Sequence, residues 1–260
     1  YKRQLPGTSI PEVFDQAEPV WRSARRQARQ ERDRRLARLP RPEDAAAVWS
    51  WWGLQPLAFW SPLVRLPAGS WSSDAVSLPQ QNAAAGGTWV QLPRQQGICS
   101  VPLRREPGLT SCAAEPRQAV VITSLGAGAW RLGNGLIELD VSSAGLLALR
   151  DRDGRDQLSS SLQLERYRDR GEFWDAWDLA ADYRSQPLGV LCTDSLGWLD
   201  QGPLVAHLVL RRQLGASCMR LDLRLKADTP WLELICGIDW RQTHELSLIH
   251  ISEPTRRSYI

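Results

Sequence analysis

Leu221-Asp222-Leu223-Arg224-Leu225-Lys226 alternates strictly between leucine and a charged residue. Successive side chains on a strand point to opposite faces, so this period of two predicts three leucines on a core face and three charges toward solvent. Upstream, Leu204-Val205-Ala206-His207-Leu208-Val209-Leu210 is an apolar run of strand length. Downstream, Trp231 to Trp240 reads the same way after an Asp-Thr-Pro turn. Further back, Leu136-Ile137-Glu138-Leu139-Asp140-Val141 enters a Ser-Ser-Ala-Gly turn and returns through Leu146 to Leu149, and Asp151-Arg152-Asp153-Gly154 closes this hairpin. After Pro42, Trp49, Trp51, Trp52, Trp60, Trp71 and Trp89 stand among prolines, glycines and serines. Many short strands between turn signals predict a mainly β fold, a β-sandwich in preference to a βαβ sheet. With 13 tryptophans in 260 residues, most indoles are expected to pack inside it.

The N-terminal texture differs. Ser9-Ile10-Pro11-Glu12 fits a capping box with proline in the first turn, which predicts a helix start. Val13, Ala17, Val20, Trp21, Ala24 and Ala28 then recur at helical spacing, a stripe suited to a partner helix, until Pro40 and Pro42 end the element. Arg22, Arg25, Arg26, Arg29, Arg32, Arg34, Arg35 and Arg38 cover the remaining surface. Glu31 and Asp33 interrupt that run and no aromatic interleaves with it, so a solvated helix face is expected and nucleic acid is not an expected partner.

No apolar run approaches the roughly 20 residues of a membrane span, and no membrane partner is expected. Cys99, Cys112, Cys192, Cys218 and Cys236 form no Cys-x-x-Cys pair and no ligand spacing with His207, His244 and His250. Scattered thiols in odd number suggest a reducing, cytoplasmic compartment. There is no Gly-x-Ser-x-Gly elbow, phosphate-cradling glycine loop or His-Glu-x-x-His helix, and His207, inside an apolar strand, is expected to be a core histidine.

The stretch with the most suggestive chemistry is Trp174-Asp175-Ala176-Trp177-Asp178. Indole faces stack on the C–H face of a pyranose, and carboxylates accept hydrogen bonds from vicinal hydroxyls. Trp174, Asp175, Trp177 and Asp178 are therefore candidate substrate-binding residues for a sugar. Asp175 and Asp178 are not a catalytic pair: on a helical turn they share one surface, on a strand they face apart, and neither arrangement brackets a glycosidic bond.

Three segments resemble glycoside hydrolase family 38 α-mannosidases, in particular the bacterial and cytosolic type. They are Pro6-Gly7-Thr8-Ser9-Ile10-Pro11-Glu12-Val13; Asn134-Gly135-Leu136 followed by Trp174 to Asp178 and Tyr183; and Ile238-Asp239-Trp240-Arg241 with His244-Glu245. The resemblance spans about 5–245 and implies the end of the catalytic domain, a helical bundle segment and the C-terminal β-domain. It implies a parent that is a retaining, zinc-dependent enzyme acting on terminal α-mannosyl linkages, with a mannose-containing glycan as substrate. The family's nucleophile and most of its zinc ligands belong to an N-terminal catalytic domain, which is then the missing partner. The family's last zinc-ligating histidine stands just before the Pro-Gly-Thr-Ser segment, where this chain has Tyr1, Lys2, Arg3 and Gln4. Neither catalytic residues nor metal ligands are thus expected here, no zinc should bind, and the chain alone should be inactive. A non-catalytic carbohydrate-binding module on the same sandwich is the alternative.

Tyr1 to Gln4 and Leu246 to Arg256 also resemble translations of a transposon-end sequencing adapter. The expected organisation is therefore adapter-derived residues at 1–4, a helical linker or bundle segment at 5–48, a truncated β-sandwich at 49–245 and an adapter-derived tail at 246–260.

Overall fold

The structure is a computed structural model that describes residues 11–38, 49–53, 62–97, 99–106, 114–158, 160–170 and 179–249. A helix, α1 (Pro11–Leu36), is followed by seven strands: β1 (Trp49–Gly53), β2 (Leu63–Leu66), β3 (Ser70–Ser73), β4 (Val76–Ser77), β5 (Gln80–Asn82), β6 (Thr88–Gln91) and β7 (Cys99–Glu106). The next strands are β8 (Val121–Gly126), β9 (Ala129–Gly133), β10 (Ile137–Ser142), β11 (Gly145–Asp151) and β12 (Leu164–Arg168). After a 3-10 turn at Tyr183–Ser185 come β13 (Pro187–Val190), β14 (Ser195–Gln201), β15 (Val205–Leu214), β16 (Ser217–Lys226), β17 (Glu233–Asp239) and β18 (Glu245–Ile249). The strand pairings are antiparallel, which bears out a mainly β fold without βαβ units.

The strands gather around two cores. Sheets β1-β7-β3-β4 and β2-β6-β5 enclose Trp71, Leu78, Val90, Leu92, Val101 and Leu103. The larger unit opposes β11-β10-β9-β8 to β14-β15-β16-β17, with β13-β12-β18 alongside. Leu132, Leu139 and Val141 pack there with Leu208, Leu210, Leu221, Leu223 and Leu225, and burying each leucine contributes about 1.5–3 kcal/mol relative to leaving it exposed. Between these cores, Leu204, Val205 and Ala227 pack against Leu63 and Trp89.

Polar groups fix that junction. Gln81 accepts the backbone N–H groups of Leu204 and Val205 at 2.9 and 2.8 Å and donates to the Val205 carbonyl at 3.0 Å. Within the larger unit, Asn134 is buried with its amide saturated: its oxygen accepts from the N–H groups of Leu136 and Ile137, and its nitrogen donates to the carbonyls of Lys226 and Thr229. This side chain shapes the β9–β10 turn, where Gly135 takes a φ of 75°, and ties it to the end of β16.

The 136–149 stretch forms the expected hairpin, with Ser142 opposite Gly145. Gly145 is required: its φ is 125° and a Cβ there would lie 2.5 Å from the Leu162 carbonyl oxygen.

Two expectations need correction. Leu221, Leu223 and Leu225 are buried, but the charges between them are not turned to solvent: Asp222 is 6% exposed, paired with His207 and Arg220, while Arg224 and Lys226 share Glu233. Cross-strand partners cover this face with their own long side chains, so the charges are satisfied by protein. The strand within Trp231 to Trp240 does not bury one face; β17 lies at the edge of its sheet with Leu234, Ile235 and Ile238 exposed. The stripe on α1 has no described partner helix, and Val13, Val20 and Trp21 are exposed. The helix surface is instead laced by pairs such as Arg22 with Glu18 and Arg35 with Glu31.

Candidate functional site beside β12

Trp174, Asp175, Trp177 and Asp178 lie outside the described residues. Both ends of the segment that carries them are described, and they meet. The Asp169 carboxylate accepts the Ala180 N–H at 2.8 Å, and the Asp169 N–H donates to the His244 carbonyl at 2.9 Å. Asp169 thereby pins the two ends of the segment to each other and to the stretch just before β18.

Alternation along β12 organises the rest. Leu164 points into the core, and on the same face Arg166 pairs with Glu245 of β18 at 2.8 Å, both side chains being under 20% exposed. The other face carries Glu165, Tyr167 and, just beyond the strand, Asp169. Tyr167 donates its hydroxyl to the Glu165 carboxylate, which pushes the phenol pKa up. Its ring meets that of Tyr183 edge-on at 5.4 Å, and the Arg184 guanidinium lies 5.7 Å from the Tyr183 ring centroid. Two half-buried phenols, a carboxylate and a cation thus stand beside the ends of the 171–178 segment, groups of the kinds that stack on a sugar ring and bond its hydroxyls.

The structure therefore brings together residues the sequence had placed in separate segments: Tyr183 from one, His244 and Glu245 from another. It adds Glu165, Tyr167, Asp169 and Arg184. The period of two in Glu165, Tyr167 and Asp169 is a legible signal for a shared face, but only the pairing of β12 with β13 and β18 shows what lies beside it.

Three further carboxylates of the larger unit are engaged elsewhere. Asp140 accepts from Arg131 and Arg150, Asp222 from Arg220 and His207, and Asp239 from Arg241. Hydrogen bonds from their arginines hold the carboxyls of Asp140 and Asp239 below the usual range; that of Asp222 also falls, although burial opposes the shift. A general acid of a glycosidase needs the opposite shift, so these groups suit structure and not proton donation. His207 is buried as expected, its Nε2 3.0 Å from Asp222 and its Nδ1 3.8 Å from Asp200. Among the described residues there is no group of three or more His, Cys, Asp and Glu that could hold a metal ion.

Fold and site together define an antiparallel β-sandwich domain with aromatic and carboxylate groups gathered beside β12. Residues 132–256 match the family model described as the Glycosyl hydrolases family 38 C-terminal domain, and this supports a family 38 glycoside hydrolase origin for the chain. The matched span runs from the end of β9 through β18 and contains the Tyr167, Asp169 and Tyr183 cluster. A comparison with curated proteins gave no match. No helix among the described residues is long and apolar enough to cross a membrane.

Proposed function

We propose that this chain is the helical linker and β part of a cytoplasmic, retaining, zinc-dependent α-mannosidase that hydrolyses terminal α-mannosyl linkages of a mannose-containing glycan. The observation that carries the reading is the family 38 C-terminal match over 132–256, laid on the larger sandwich and the cluster beside β12. In this reading the zinc, which would stabilise the sugar's transition state, and the nucleophile belong to a preceding catalytic domain, and the chain alone is inactive. Its own contribution is positional. Asp169 and the Tyr167–Tyr183 pair hold the stem from which Trp174, Asp175, Trp177 and Asp178 reach the sugar pocket at the domain boundary.

The test compares the isolated chain with the chain joined to its upstream catalytic domain, assayed on aryl α-mannosides. The joined protein should hydrolyse them and the isolated chain should not; a joined protein active only on other glycosides overturns the assignment. In the joined protein Asp175→Ala should lower kcat/KM at least about tenfold, because a charge-assisted hydrogen bond to sugar is lost. Unchanged kcat/KM with reduced stability would remove the sugar-binding role.

A further inference from the structure

Strand β17 ends its sheet, and among the described residues nothing pairs with its outer side. Which backbone groups that leaves free follows from the ladder. Residues opposite each other in an antiparallel pair alternate between hydrogen-bonded and non-hydrogen-bonded. The Ala227 N–H donates to the Leu204 carbonyl, so the alternation carried across β16 turns the backbone groups of Arg224, Asp222, Arg220 and Cys218 toward β17. Their partners Glu233, Ile235, Gly237 and Asp239 are thereby engaged, and Leu234, Cys236 and Ile238 direct both N–H and C=O to the open edge.

The side chains make this edge adhesive. Leu234, Cys236 and Ile238 continue inward-facing rows of the sheet: Ile238 stands beside Met219, and Met219 beside Arg212, a guanidinium 3% exposed whose Nε has no hydrogen-bond partner. On β17 itself Leu234, Ile235, Cys236 and Ile238 are all exposed. Natural edge strands are commonly blunted by lysine, proline or a bulge. Glu233–Asp239 holds neither lysine nor proline, and its register with β16 has no shift. Its charges lie at the two ends and are neutralised within the chain, Glu233 by Arg224 and Lys226 and Asp239 by Arg241. An exposed apolar edge of this kind is a template for a further strand.

We propose that β17 is a dimerisation edge, across which two copies of this chain pair β17 antiparallel to β17 about a two-fold axis at Gly237. The strand's own sequence selects this occupant and this register. With the axis at Gly237, Cys236 of each copy exchanges backbone hydrogen bonds with Ile238 of the other, Leu234 faces Trp240, and Glu233 faces Arg241, so apolar meets apolar and each carboxylate meets a cation. An axis one residue earlier would oppose Glu233 to Asp239, like charges directly across the pair. The closest approach falls on the two glycines, where no side chain separates the strands and a Cβ would meet nothing of its own chain within 4 Å. A two-fold contact uses the same patch on both copies and therefore closes at two. The dimer does not depend on the mannosidase reading.

Sedimentation equilibrium of the 260-residue chain, from micromolar to millimolar concentration, tests the dimer. The mass should rise with concentration from one chain to two and stop there. Ile238→Lys, which puts a charge into the pairing row at a position already in water, should raise the dimer Kd at least about tenfold. In a Cys218→Ser background, Gly237→Cys should form a disulfide-linked dimer under oxidised glutathione at least about tenfold faster than Ile235→Cys, because position 237 faces its own copy and position 235 faces Asp239. A chain that stays monomeric overturns the proposal, and so does growth beyond two copies. Association unchanged by Ile238→Lys, or Ile235→Cys crosslinking as fast as Gly237→Cys, overturns it too. Should Ile238→Lys not fold, the wild-type masses and the Gly237→Cys crosslink decide by the same outcomes.

Discussion

Strands β16 and β17 are neighbours in one sheet, pair residue for residue from Cys218–Asp239 to Arg224–Glu233, and differ almost completely in burial. Leu223 is fully buried, whereas its partner Leu234 is 39% exposed; Met219 is 4% exposed and its partner Ile238 57%. The core against the facing sheet takes residues from β14, β15 and β16 and none from β17. Alternating polarity therefore specifies a strand and its faces, while the extent of the opposite layer decides whether a face becomes core. The largest break in this comparison is Leu223→Ala, which should cost about 2–5 kcal/mol, because the deleted methyl groups leave a cavity that interdigitated neighbours cannot refill. Chemical denaturation checks it, and a loss below 1 kcal/mol would show that the sandwich is not closed over β16.

The other face of the same strands tests whether a buried charge can be as structural as a leucine. Asp222 receives hydrogen bonds from Arg220, with His207 Nε2 at 3.0 Å on its other side. Asp222→Ala should cost about 2–3 kcal/mol, the scale for leaving buried polar groups unpaired, and Asp222→Asn somewhat less because it keeps one acceptor. A stability equal to the wild type in both would show that water, not Asp222, satisfies His207.

This network also gives the acid response a sign. Burial outweighs the two nearby carboxylates and lowers the His207 pKa below its ordinary 6.5, and the pKa of Asp222 is lowered as well. For both groups the unfolded chain binds more protons across the window between unfolded and folded pKa, so stability rises with pH there. The His207 contribution is complete above about pH 6.5 and is lost as pH falls through the lower folded value. The Asp222 contribution is lost only at more acidic pH, below the ordinary carboxylate value. Tm should therefore drop in two stages on acidification, and His207→Gln should remove the upper stage. A His207→Gln profile superimposable on that of the wild type would assign the upper stage to another group.

The strand content was legible because period two and turn residues act locally. Leu221 to Lys226 and the Ser142–Gly145 turn needed no tertiary information. The fate of Asp222 was not legible: a charged residue in an alternating strand reads as solvent-facing, and only the cross-strand neighbours of β15 and β17 show that its partners are protein groups. Arg212 was invisible for a related reason, since it ends an apolar run where strands usually emerge into water. At the candidate site, the sequence pointed to the indoles and aspartates of 174–178. The residues that fix the stem, Tyr167, Asp169 and Glu245, come from elements 79 positions apart in the case of Arg166 and Glu245, a pairing that only the sheet order reveals.

The smallest expected effect lies on β17, and it is the sharpest form of the comparison. Ile238 occupies the same inward-facing row as Met219 and Arg212, so its sequence context is that of a core residue. Because more than half of its surface is in water, Ile238→Ala should change stability by no more than about 0.5 kcal/mol, several-fold less than Leu223→Ala two rows away on the same sheet face. Denaturant midpoints of the two variants, measured side by side in dilute monomer, check the ratio. A cost for Ile238→Ala approaching that of Leu223→Ala would mean that the edge of β17 is covered within the monomer, and the row from Arg212 through Met219 to Ile238 would then be interior along its whole length.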